Sequence, residues 1–311
     1  MNHTILLVED DPSDSILIKR AFDKAELNAT LVRAKDGDDA VAYLDGTGPY
    51  QNREEYPLPS LVLLDIKLPR RSGFEVLSWI RRDPRPLRRL PVVMLTSSRH
   101  SVDINRAYEL GANAYTVKPD TNAELTELLR CVKDFWLGKN EYPITCATPA
   151  DGSTTGLNGA KAQERTILLV EDERSDAMLI TRALNRAGYN GAIEHALDAT
   201  VALSWLHRQS EGPTLPSLVL LDLKLPGMSG FELMDEIRRT PNLRQVPIVV
   251  LAGSKDADTI NRAYERGANS YLVKSPDPDE VNRLMTFLQQ YWLNVNQHAT
   301  RHRPSPRGMD A

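Results

Sequence analysis

The sequence predicts an α/β protein made of two doubly wound, five-stranded parallel sheets with helices on both faces. Three observations lead there. First, the string Leu61-Val62-Leu63-Leu64-Asp65-Ile66-Lys67-Leu68-Pro69 returns as Leu218-Val219-Leu220-Leu221-Asp222-Leu223-Lys224-Leu225-Pro226. Second, four apolar residues without alternation read as a strand covered on both faces, the signature of a parallel sheet. Third, short apolar runs alternate with amphipathic helical patterns through each half of the 311 residues.

In the first half, strands are expected near 4–8, 29–34, 60–65, 91–96 and 113–117. Helices are expected near 12–25, 37–45, 73–82, 101–110 and 121–137. Asp11 followed by Pro12 is a helix start signal: an N-cap acceptor, then a residue whose missing N–H is not needed. The fifth helix carries Leu125, Leu128, Leu129, Val132, Phe135 and Trp136 at helical spacing, and the second half repeats it with Val281, Leu284, Met285, Leu288, Tyr291 and Trp292. The offset between copies is 162 at Glu9/Glu171, 157 at Asp65/Asp222 and 156 at Ile104/Ile260. The drop places a deletion of five in the loop before the third strand of copy two. A period this long denotes two whole domains, not a solenoid.

The expected boundaries are 1–137 for domain one, 138–164 for a flexible linker, 165–293 for domain two and 294–311 for a disordered tail. A 27-residue linker of this composition reaches roughly 30 Å. Net charge is −4, so no global field favours nucleic acid. Arg81, Arg82, Arg85, Arg88 and Arg89 read as a solvated basic edge, lacking the interleaved aromatics of a nucleic-acid surface. No apolar run approaches 18 residues, and Met1-Asn2-His3 opens directly into a strand; a cytoplasmic chain with no membrane span is the expectation. Cys131 and Cys146 fit free thiols in a reducing compartment better than a disulfide.

Strand one ends in Glu9-Asp10 and strand three in Asp65, and these strands are neighbours at the switch point of a doubly wound sheet. Three carboxylates therefore converge on one edge. Such a cluster is costly unless a cation relieves it, and an oxygen-only donor set suits Mg²⁺. Strand four ends at Thr96 and strand five at Lys118. Carboxylate, metal, ammonium and hydroxyl together suit in-line phosphoryl transfer to Asp65.

In this arrangement the chain resembles the receiver domains of bacterial two-component response regulators, over about 1–137 and 165–293. The Val-Glu-Asp start, the long loop before strand three and the Phe-Trp-Leu close of the last helix resemble phytochrome-associated receivers. The resemblance implies strand order 2-1-3-4-5. It also implies that Asp65 is the phosphoacceptor, that Asp10, Asp65 and the Lys67 carbonyl hold Mg²⁺ with Glu9 acting through water, and that Lys118 contacts the phosphoryl group. Thr96 and Tyr115 would form the switch pair. In copy two the set is Glu171, Asp172, Asp222, Lys224 and Lys274, with Tyr271. There Ala252 stands in place of Thr96, and a methyl group cannot donate to a phosphoryl oxygen.

The reading that follows is a tandem-receiver response regulator without a DNA-binding output, not an enzyme beyond its own phosphorylation and dephosphorylation. Its expected partners are a sensor histidine kinase, a bacteriophytochrome among the candidates, and a histidine phosphotransfer protein. A homodimer or receiver-to-receiver contact through the aromatic ends of the fifth helices is a further expectation. An interaction scaffold or phosphate sink with a degenerate second receiver is the alternative. A phosphohydrolase fits less well, because Lys67 and Lys224 stand where a second aspartate would act as general acid.

Overall fold

A computed structural model describes residues 3–25, 29–141, 165–212 and 215–299. Copy one runs β1 (His3–Val8), α1 (Pro12–Lys24), β2 (Ala29–Ala34), α2 (Gly37–Asp45), β3 (Leu61–Leu64), α3 (Gly73–Arg82), β4 (Val92–Thr96), α4 (Ser101–Glu109), β5 (Ala114–Val117) and α5 (Asn122–Val132). Copy two runs β6 (Thr166–Val170), α6 (Arg174–Arg186), β7 (Ala192–Ala196), α7 (Ala199–Glu211), β8 (Leu218–Leu221), α8 (Gly230–Arg239), β9 (Ile248–Ala252), α9 (Ala257–Glu265), β10 (Ser270–Val273) and α10 (Pro278–Leu288). The sheets are parallel, ordered β2-β1-β3-β4-β5 and β7-β6-β8-β9-β10. In both, this is the expected 2-1-3-4-5 arrangement.

Local chemistry fixes the element starts. The Asp11 carboxylate accepts from the N–H groups of Ser13 (2.6 Å) and Asp14 (3.3 Å), capping α1 as the sequence predicts. Ser72–Glu75 and Ser229–Glu232 form reciprocal capping boxes at α3 and α8. The insertion of copy one lies in the loop before β3. There Arg53 donates to the carbonyls of Tyr43 and Leu44, each at 2.8 Å, closing the end of α2.

Each copy has its own apolar layer on the α2–α3–α4 or α7–α8–α9 side. On the opposite side a single core runs through both copies, from Ile18, Phe22 and Leu128 to Ile180, Leu184 and Leu284. Both fifth helices continue as π-helical turns, Lys133–Leu137 and Gln289–Val295, whose aromatics meet. Phe135 and Tyr291 stack with centroids 4.9 Å apart, and Trp136 meets Tyr291 edge-on at 5.7 Å. All four aromatic side chains are buried. The receiver-to-receiver contact expected at these helix ends thus exists within one chain.

Three expectations are corrected. Residues 138–141 and 294–299 do not behave as linker and disordered tail. The Tyr271 carbonyl accepts from Glu141 N–H at 2.8 Å, and the Tyr115 carbonyl accepts from Gln297 N–H at 2.8 Å. Each copy therefore extends an arm along the last strand of the other. The Oδ1 of Asn296 accepts from Tyr115 N–H and Tyr108 O–H, both at 2.9 Å. The Oδ1 of Asn140 accepts from Tyr271 N–H (3.0 Å) and Tyr264 O–H (2.9 Å). Unpaired edge groups of β5 and β10 are what the arms satisfy. The remainder of the linker and tail, with Cys146, lies outside the described residues. The third correction concerns the basic edge, which is not simply solvated. Arg81 is half-buried among carbonyls, Arg85 pairs with Asp83 and Asp45, and Arg88 and Arg89 reach across to Glu265.

Candidate phosphoacceptor site

Register brings the site together. β1 lies between β2 and β3, so Glu9 and Asp65 emerge side by side at the carboxyl ends of paired strands; Asp65 N–H donates to the Val8 carbonyl at 3.1 Å. β5 lies two strands away and delivers Lys118. Its ammonium donates to Glu9 Oε2 (2.5 Å), Asp65 Oδ2 (2.7 Å) and Asp14 Oδ2 (2.9 Å). Glu9 is 2% exposed and Asp65 7%, whereas Asp10 faces solvent. Burial pushes the Glu9 carboxyl up to about 7 despite the opposing pull of Lys118. Burial works against the Lys118 charge, but Asp65 and Glu9 outweigh it and hold the ammonium above its ordinary range. At Asp65 the other oxygen, Oδ1, accepts from Lys67 N–H at 3.2 Å.

Gly73 opens α3 directly against this loop. A Cβ there would lie 2.0 Å from the Asp65 carbonyl oxygen, so glycine is what lets α3 approach. Gly230 plays the same part at Asp222, at 2.4 Å.

Copy two repeats the geometry. Lys274 donates to Asp222 Oδ2 at 2.5 Å and also to Glu171, with Asp176 further off at 3.6 Å. Burial raises the Glu171 carboxyl. Lys224 N–H donates to Asp222 Oδ1 at 2.9 Å. Among the described residues, Glu171, Asp172 and Asp222 form a trio whose oxygens lie within 4.8 Å of one another. The Glu9, Asp10 and Asp65 trio is not gathered that closely; there Arg33 holds the carbonyls of Glu9 (3.1 Å) and Asp10 (3.0 Å). An all-oxygen donor set suits a hard divalent cation in either copy.

Around the rim, Thr96 is fully buried at the end of β4, and its Oγ1 accepts from Ser98 N–H at 3.4 Å. Tyr115 points inward, its hydroxyl donating to the Ser98 carbonyl at 3.0 Å. Tyr271 does the same to Ser254 at 2.8 Å, beside Ala252. Sequence reasoning missed two features. Asp14 and its counterpart Asp176, at the copy-one offset of 162, were legible from the repeat as added carboxylates. The arm asparagines were also legible, since Trp-Leu-x-x-Asn recurs at 136–140 and 292–296.

The response regulator receiver domain matches at residues 5–130 and 167–286. The probable methanogenesis regulatory protein FilR2 of Methanothrix harundinacea is 42% identical over 132 residues, which are 42% of this chain and 85% of that protein. Response regulator Rcp1 of Synechocystis is 38% identical over 133 residues, 43% of this chain and 88% of that protein. Response regulator PleD of Caulobacter vibrioides aligns with 75% of this chain and half of its own length, at 26% identity. Among solved structures, the Mn²⁺-bound form of Rcp1 shares 36% identity over 48% of this chain and 99% of its own, with a TM-score of 0.40. The bacteriophytochrome response regulator AtBRR shares 46% over 41% of this chain and 89% of its own, with a TM-score of 0.37. On two matched segments that together cover most of its length, the chain belongs to the response regulator receiver family and carries two copies of the domain.

Proposed function

We propose that this protein is a phosphorylation-controlled tandem receiver. Asp65, and with it Asp222, takes a phosphoryl group from the phosphohistidine of a sensor histidine kinase or a histidine phosphotransfer protein. The observation that carries the reading is the same in both copies: one lysine ammonium from the last strand bridges a buried glutamate and the strand-three aspartate. Asp10 and Asp65, the Lys67 carbonyl and, through water, Glu9 are the groups suited to hold Mg²⁺; Asp172, Asp222, Lys224 and Glu171 are their counterparts. An ion held there would supply positive charge to offset that of the transferring group. An Asp65 oxygen forms the new P–O bond as the P–N bond to the donor imidazole breaks, and the imidazole takes a proton. Lys118 stands to follow the developing charge from the carboxylates to the phosphoryl oxygens. Thr96 supplies a hydroxyl at the neighbouring strand end, and Tyr115 senses the change through Ser98.

Ala252 supports a division of labour. Copy two retains the acids and Lys274 but lacks the hydroxyl, so it acts more as a docking partner or phosphate sink than as a switch. A phytochrome as the sensor rests on sequence resemblance. Readout through protein contact is part of the same proposal. Phosphorylation by a phosphohistidine donor with Mg²⁺, scored as acid-labile label at Asp65, tests the proposal; full labelling of the Asp65→Asn, Asp222→Asn double variant refutes it.

A further inference from the structure

Between the two copies lies a cavity of about 500 Å³, lined by corresponding residues of both. Asn113 and Asn269 face each other there: each amide donates to the other's carbonyl at 3.0 Å. Their Oδ1 atoms accept from Arg81 (2.6 Å) and Arg238 (2.9 Å), so one hydrogen-bonded chain joins a guanidinium group of each copy. The other hydrogen bonds that Arg81 and Arg238 donate go to backbone carbonyls: Gly111, Arg88 and Leu90 for the first, and Gly267, Arg244 and Val246 for the second. Among the described residues no carboxylate pairs with either, and burial lowers both to about 10.

The mouth adds Arg88, Arg89 and Arg244, against Glu109 and Glu265. Arg88 and Arg89 share the single Glu265 carboxylate, while Arg244 stands 3.6 Å from Glu109. Five guanidinium groups thus face two carboxylates. The cavity keeps an excess of positive charge in a partly desolvated space, where an anion is worth more than in water. Its volume falls within the range of small-molecule sites, and planar guanidinium donors match phosphate oxygens.

We infer that this interdomain cavity binds a small phosphate-bearing polyanion of diphosphate size, held by Arg88, Arg89 and Arg244 at the mouth within the field of Arg81 and Arg238. Such a ligand bonds residues of both copies and so stabilises their contact. It is independent of the phosphoacceptor chemistry, whose residues lie elsewhere.

The test is calorimetric titration of the full-length protein with inorganic pyrophosphate in the presence of EDTA, which keeps the acidic sites free of metal. One saturable site per chain is expected. Arg88→Gln with Arg244→Gln weakens binding at least tenfold; both side chains are about half exposed, 47% and 48%, and fold integrity is checked by circular dichroism. Glu265→Gln frees Arg88 and Arg89 and tightens binding severalfold, an effect opposite in sign to misfolding. The Asp65→Asn variant binds unchanged. A nucleoside diphosphate titrated in parallel assigns the ligand: tighter binding than pyrophosphate indicates a nucleotide, equal binding a bare diphosphate. Absence of saturation with both, or binding indifferent to all the arginine and Glu265 variants, overturns the inference.

Discussion

Asn296→Ala probes the arm exchange most sharply. Asn296 is fully buried, and its Oδ1 accepts from Tyr115 N–H and Tyr108 O–H, both at 2.9 Å. Tyr108 keeps a second acceptor, the Gln297 carbonyl at 2.7 Å, so its hydroxyl stays satisfied. Tyr115 N–H lies at the outer edge of β5 and has no substitute. One orphaned buried donor costs about 1–3 kcal/mol. That corresponds to roughly 5- to 150-fold faster exchange of the Tyr115 amide hydrogen if exchange runs through local opening of the arm. The assay is amide exchange by NMR with urea unfolding alongside, and Asn140→Ala serves as the matched variant acting on Tyr271. If Tyr115 exchange changes less than twofold and the unfolding midpoint stays put, the arm does not complete the β5 edge and the reasoning fails.

Three further outcomes follow from the same geometry. Gly73→Ala drives a methyl group into the Asp65 carbonyl at 2.0 Å and costs about 1–3 kcal/mol, read as a lower thermal midpoint; a neutral effect contradicts the close approach of α3. Arg89 and Arg88 hold the Glu265 carboxyl below its ordinary range. The cross-domain pair therefore contributes at neutral pH and is lost as pH falls through that depressed value. Glu265→Gln should lower stability at pH 7 by up to about 1 kcal/mol, with the gap closing in acid; a gap that widens in acid contradicts the pairing. Ala252→Thr should restore a hydroxyl beside Asp222 and make copy two respond to phosphorylation more like copy one, seen as larger chemical-shift changes around Tyr271; unchanged shifts argue that Thr96 is not the coupling group.

The sheets and the acidic edge were legible because their signals are local and occur twice. Four apolar residues before Asp65 and before Asp222 announce buried parallel strands, and Glu9-Asp10 and Lys118 fall at strand ends by simple counting. The chain's reach across itself was less legible. Arg81 and Arg85 read as solvated charge because sequence does not say which carbonyls or carboxylates lie opposite. Asn140 and Asn296 stand just past helices whose apolar pattern has ended, where composition suggests a loop. Their partners, Tyr271 and Tyr115, are 131 and 181 residues away, beyond any periodicity argument. The close trio in copy two, against the looser one in copy one, depends on side-chain placement that near-identical strings do not separate.

The central claim is that Asp65 accepts phosphate beneath Lys118. The most direct measurement is the site and amount of acid-labile label after transfer from a phosphohistidine donor in Mg²⁺, by intact-mass and peptide analysis. The account predicts one added phosphoryl group on the Asp65 peptide, lost in Asp65→Asn and reduced at least a hundredfold in Lys118→Ala. Label on any residue outside the two strand-end aspartates, or undiminished transfer without Lys118, contradicts it.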